Sequence, residues 1–94
     1  MNSDPASIPI LRYIGIDIHK HYLVIGGMNS QKEWVLRTRK VRMSRFPEWV
    51  QKNINPSDAV VIESTSNAWE IYDLLAPLVA KAVVANPLKV GEIA

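Results

Sequence analysis

Two short apolar runs in this chain end on an acid: "RYIGID", Arg12 to Asp17, and "AVVIE", Ala59 to Glu63. The first, like "HYLVIGGM" (His21 to Met28) after it, is too uniformly apolar to alternate cleanly, the pattern of strands covered on both faces. This constrains the fold more than any other feature. An ionised carboxylate at the end of a buried strand costs several kcal/mol unless a cation, a proton or several hydrogen bonds compensate it. A fold carrying two such acids must bring them to one compensated place or satisfy each separately.

The intervening segments say how the ends meet. "HYLVIGGM" (His21 to Met28) reads as a second strand, and "NSQK" (Asn29 to Lys32) supplies the turn for a hairpin into "EWVLRTRKV" (Glu33 to Val41). This third run alternates better and is basic, as an edge strand should be. Ser44 is placed to cap a helix whose first turn tolerates Pro47. Phe46, Trp49, Val50 and Ile54 recur there at helical spacing, and "NPSD" (Asn55 to Asp58) ends it. Beyond Glu63, Asn67 and Glu70 form a capping-box variant, and Ile71, Leu74, Leu75 and Leu78 make a buried stripe that Pro77 kinks or shortens. "KAVVAN" (Lys81 to Asn86) is a last strand, and Asn86-Pro87 starts a further helix. Residues 1–11 read as a flexible tail.

Two hairpin steps make an antiparallel meander, and each later strand returns through a helix, parallel to the first by a right-handed crossover. The expected fold is α/β, a mixed five-stranded sheet of order 3-2-1-4-5 with helices. The first and fourth strands are then neighbours at a topological switch point, where the carboxyl ends of strands diverge and leave a crevice. Asp17 and Glu63 sit at those ends.

Two adjacent carboxylates raise each other's pKa, and a divalent cation resolves the conflict. Mg²⁺, or Mn²⁺ in its place, takes one or two protein carboxylates and keeps waters that leave room for a phosphate oxygen. Asp17 and Glu63 are therefore the candidate metal ligands and catalytic acids. The structural alternative has Asp17 accepting from the amides of the "HKH" turn and Glu63 from those of "STSN". His19 and His21 alternate and share a face, but a soft-metal site needs a third ligand, so both are read as turn histidines near phosphate. Lys20 is a candidate phosphate contact. Trp34, Trp49 and Trp69 are expected in the core. Ser64, Thr65 and Ser66 have no histidine near in sequence to act as base, which leaves "STSN" as a loop rather than a nucleophile.

Charge and composition narrow the partners. The net charge of +2 is too small to argue for a polyanion by itself. Five of the eleven basic residues, however, fall between Arg37 and Arg45: Arg37, Arg39, Lys40, Arg42 and Arg45. That cluster suits a nucleic-acid backbone, with protection of an exposed strand edge as the alternative. No apolar run approaches the roughly 20 residues that span a bilayer, and "MNSDPASIPI" lacks the order of a signal peptide. With no cysteine there is no disulfide framework. The expected setting is the cytoplasm, without a membrane partner.

"GIDIHK", "VIESTSNAW" and "VVANPLKV" together resemble the N-terminal catalytic domain of the Piv-type DNA invertases and related insertion-sequence transposases. The resemblance covers Arg12 to Ala94 and carries specific spacing: Asp-x-His-Lys, an apolar strand ending Glu-Ser-Thr, a tryptophan soon after, then valine-x-asparagine-proline. It implies a RuvC-like, ribonuclease H-like fold with a D-E-D-D site for Mg²⁺ or Mn²⁺, in which Asp17 is the first acid and Glu63 the second. The third and fourth acids and the family's catalytic-serine domain would lie beyond Ala94. Residues 12–94 would then be the N-terminal part of a truncated catalytic domain, inactive or nearly so alone. The sequence departs from the family at Ser66, where glycine is expected, and at Ala68, where an aromatic is common.

The implied activity is metal-dependent DNA strand cleavage and transfer by a transposase or site-specific recombinase of a mobile element. Its DNA partners would be element ends and target. Some relatives are RNA-guided, which adds a structured guide RNA. Rivals are a Holliday-junction resolvase or another nuclease of this fold, the sugar-kinase and actin-like group, and a non-catalytic nucleic-acid-binding or assembly module. The kinase-like group wants small residues after the first acid, where this chain has His19 and Lys20. An apolar surface left uncovered at the Ala94 end leads to the expectation of a homo-oligomer.

Overall fold

The computed structural model describes residues 9–63 and 68–85. In chain order the described elements are β1 (Arg12–Ile18), β2 (Tyr22–Asn29), β3 (Trp34–Arg42), α1 (Phe46–Asn53), β4 (Asp58–Glu63), α2 (Ala68–Leu75) and β5 (Lys81–Ala85). Single 3₁₀ turns precede α1 at Met43–Arg45 and follow α2 at Ala76–Leu78. The strands form one α/β sheet of order β3-β2-β1-β4-β5, the expected mixed order. β2 runs antiparallel to both β1 and β3, while β1, β4 and β5 are parallel.

Both helices cover the same face of this sheet. The crossovers from β3 to β4 and from β4 to β5 travel in one direction across it, so right-handed connections place α1 and α2 on one side. Ile14, Ile16, Leu23, Ile25, Val41, Val60 and Ile62 of the sheet meet Phe46, Trp49 and Val50 of α1 and Ala68, Ile71 and Leu75 of α2 in one core. Gly27 serves this packing: a β-carbon there would stand 2.5 Å from Ile14 Cδ1. The opposite positions of β1 and β4, namely Tyr13, Gly15, Asp17, Val61 and Glu63, are exposed. The apolar runs are thus covered on one face among the described residues, not on both.

Other expectations are corrected by local geometry. Ser44 caps no helix, because it sits inside the 3₁₀ turn; Arg45 stands at the α1 N-cap without a side-chain bond, and Pro47 occupies the first turn. Leu74 and Leu78 are exposed, since the buried stripe of α2 is Ala68, Ile71 and Leu75 and the chain leaves α-helical geometry at the Pro77 turn. Trp49 is in the core, whereas Trp34 and Trp69 are 56% and 65% exposed. The Asn67 cap, the Asn86-Pro87 helix start and Ser64 to Ser66 lie outside the described residues.

Two register shifts let β3 serve both faces. Ile25 pairs with Arg39, Gly27 with Leu36 and Met28 with Trp34, so β3 carries an extra residue on each side of Leu36. Leu36 thereby packs against the core.

The amino ends of β1 and β4 are tied by charge. Arg12 donates to Asp58 from Nε to Oδ1 and from Nη2 to Oδ2, both at 2.7 Å, and its Nη2 also reaches the Asn53 carbonyl. The Asn55 amide donates to Asp58 Oδ2 at 2.8 Å. Asp58, fully buried, is thus compensated by a forked cation and an amide. Among the described residues no helix is long and apolar enough to cross a membrane.

Candidate functional site

Asp17 and Glu63 are register partners on neighbouring parallel strands. Adjacent strands lie about 4.8 Å apart, and paired positions point to the same face, so the two acidic side chains leave the sheet as neighbours. Both are on the face the helices leave open, at the carboxyl ends of their strands. Pairing continues this row as Lys40, Val24, Asp17, Glu63 and Ala85 across all five strands.

The row is organised by an aromatic stack. His19, just past β1, presents Nε2 at 2.9 Å to Asp17 Oδ2; an ionised carboxylate only accepts, so the ring nitrogen donates. The imidazole lies on the Tyr22 ring with centroids 4.6 Å apart and planes 15° from parallel. Lys40 Nζ stands 4.3 Å from the centre of the same phenol ring. Among the described residues the partner of the Asp17 side chain is this imidazole rather than the turn amides. The His19 amide instead donates to the Tyr22 carbonyl at 2.8 Å, closing the turn between β1 and β2.

Next to the acids the face is hollow. Gly15 and Gly26 pair in the adjoining row, and a β-carbon at Gly15 would meet nothing within 4 Å. A cavity of about 420 Å³ opens there, lined by Tyr13, Gly15, Gly26, Trp34, Asp17 and Glu63 among others. It joins a mainly apolar floor to two carboxylates.

The basic residues divide between the faces. Lys40 lies over Tyr22, and Arg42 pairs with Tyr22 one row further along the same open face. Arg37 and Arg39 border a separate cleft with Trp49 and Asn53 on the α1 side. Arg45 stands 3.6 Å from Glu48 at the start of α1. Lys20 and His21 are exposed in the turn, where the His21 carbonyl accepts from the Met43 amide at 2.9 Å.

Among the described residues no group of three or more His, Cys, Asp and Glu is arranged to hold a metal. What is present is a pair of carboxylates open to water, which fits a hard cation that takes one or two acids and completes its shell with waters and phosphate. Sequence reasoning missed Tyr22 and Gly15. Gly15 had a signal, since a glycine between Ile14 and Ile16 in a strand marks a bulge, a bend or a close approach. Tyr22 had none, because its role depends on a ring from the turn after β1 and an ammonium from β3.

No protein-family model and no curated protein matches the chain. Solved structures with some likeness include a PPX-GPPA enzyme of Aquifex aeolicus, at 17% identity and a TM-score of 0.38, covering 84% of this chain and 37% of that one. A structure of the Aquifex aeolicus member of the Ppx/GppA family gives 17% identity, a TM-score of 0.33 and coverage of 84% and 36%. The chain spans little more than a third of either structure. Likeness at this level carries no functional assignment.

Proposed function

We propose that the chain supplies the first two acids, Asp17 and Glu63, of a divalent-metal site for DNA strand cleavage and transfer. It would be the N-terminal part of a ribonuclease H-like, RuvC-like domain of a mobile-element transposase or site-specific recombinase. The observation that carries the reading is the Asp17 and Glu63 register pair at adjacent strand ends on an open face. Asp58 is compensated by the donors that bury it, whereas these two face water together, where one cation can reach both.

In this reading Mg²⁺ or Mn²⁺ is held by Asp17 and Glu63 and supplies charge stabilisation to a phosphodiester. Asp17, with Oδ2 bound to His19, offers Oδ1, and Glu63 offers its carboxylate from the next strand. Lys40 and Arg42 on the same face, with Lys20 in the adjoining turn, neutralise the arriving phosphates. Two acids are half of a D-E-D-D set, so the chain alone is expected to bind metal weakly and to cleave DNA barely or not at all.

The test is Mn²⁺ titration followed by the loss of the free-ion electron paramagnetic resonance signal. Asp17→Asn and Glu63→Gln should each weaken binding by about 10-fold or more. Equal affinity in wild type and both variants would sink the proposal. Cleavage of supercoiled DNA by the chain alone at an enzyme-like rate, abolished by Asp17→Asn, would overturn the expectation of incompleteness.

A further inference from the structure

We infer that Tyr22, acting through His19 and backed by Lys40, is a positioning residue that sets the orientation of the Asp17 carboxylate. The inference rests on the metal-site reading above and concerns how one of its ligands is held. An aspartate at the end of a strand has several staggered side-chain positions, and with 55% of its side chain exposed Asp17 has little packing to choose among them. A lone exposed pair with His19, itself 40% exposed, would also be weak, because both side chains must be ordered to make one bond.

The neighbouring ring changes this. β2 lies between β1 and β3, so Tyr22 receives the imidazole from one flank and Lys40 from the other. The offset ring stack fixes the plane of His19, and the ammonium near the phenol fixes Tyr22 in turn. Tyr22 of β2 and Lys40 of β3 thus order the imidazole before any ligand arrives. Its Nε2 engages Oδ2 of Asp17, and Oδ1 is left for a ligand shared with Glu63. Hydrogen-bonded partners of ligating groups commonly act this way, and their loss costs about 10- to 100-fold in metal affinity.

The phenol hydroxyl takes no part in this argument, whereas the ring does. Tyr22→Phe should therefore behave as wild type, and Tyr22→Leu should not. The experiment uses the whole chain with two readouts. The first is the ring ¹⁵N chemical shifts of His19, which report its Nε2 hydrogen bond without metal; the second is Mn²⁺ affinity. Thermal melting monitors the fold.

Tyr22→Leu is expected to shift the His19 ring signals toward those seen in Asp17→Asn. It should also weaken Mn²⁺ binding about 10-fold, with an unchanged melting temperature. Where Tyr22→Leu lowers the melting temperature, Lys40→Met takes its place, with an expected loss of about 2- to 5-fold. Unchanged His19 signals and Mn²⁺ affinity in these variants would overturn the inference, and so would a Tyr22→Phe protein as impaired as Tyr22→Leu. If Asp17→Asn leaves Mn²⁺ affinity intact while Tyr22→Leu still moves the His19 signals, the metal reading fails and the positioning of Asp17 stands.

Discussion

Lys32 closes the turn between β2 and β3 with a backbone φ of 65°, in the left-handed region that an ordinary side chain enters at a cost of about 1 kcal/mol. Asn29 fixes the turn around it: its Oδ1 accepts the amides of Gln31 and Glu33, and its carbonyl accepts the Lys32 amide. Lys32→Gly relieves the strain without removing any of these bonds, and chemical denaturation should show a gain of roughly 0.5–1 kcal/mol. The turn was legible at "NSQK" because asparagine and serine announce turns, but nothing in a lysine announces a positive φ. The pairing of Asp17 with Glu63 was legible because both end strands that the connection rules make neighbours, but their exposure was not, since both runs look apolar enough to be covered on two faces. Trp34 and Trp69 were misread because a large apolar side chain alone does not say which face of an element it occupies.

At the level of elements, the sheet order followed from connection rules, which need only the sequence of strands and helices. Its irregularities did not. The two extra residues that flank Leu36 in β3 appear only in its pairing with Ile25, Gly27 and Met28, and an alternating pattern read one strand at a time cannot show them. The Arg12 to Asp58 fork was equally hidden, since each residue reads as an ordinary polar end of its own strand. That fork joins β1, β4 and the end of α1. Replacing Asp58 by Ala leaves a mostly buried guanidinium without its anion, and the expected loss by denaturant unfolding is about 3–5 kcal/mol. The hydrogen bond to Asp58 and then its charge hold the Arg12 pKa above the usual arginine value, against the lowering effect of burial. A raised value means that the stabilisation is complete below the unfolded arginine pKa and is lost only as pH climbs through the folded one. From the Arg12 side, the stability difference between wild type and Asp58→Ala should therefore be flat from about pH 6 to pH 10.

Across the whole molecule, core and candidate site occupy opposite faces of one sheet, which divides the basic cluster into two groups. A polyanion that reaches Asp17 and Glu63 meets Lys40 and Arg42; one that lies along α1 meets Arg37 and Arg39. Fluorescence anisotropy with duplex DNA over a range of salt should find Arg42→Ala more damaging than Arg39→Ala, with a salt slope reduced by about one. The reverse ranking would place the nucleic acid on the helix face. The same sheet order carries a consequence for synthesis. β1 is central to the sheet and the earliest of its five strands, yet β4, its parallel neighbour, emerges only after β2, β3 and α1. At about 5–20 residues per second, that edge of the nascent chain waits on the order of several seconds for its partner. Asp58 leads β4 out, and Arg12 is the group that meets it. A slip of one residue would turn Val60 and Ile62 to the open face and carry Glu63 inward. The buried ion pair is thus a register stop: in the slipped pairing Asp58 would lose its place opposite Arg12.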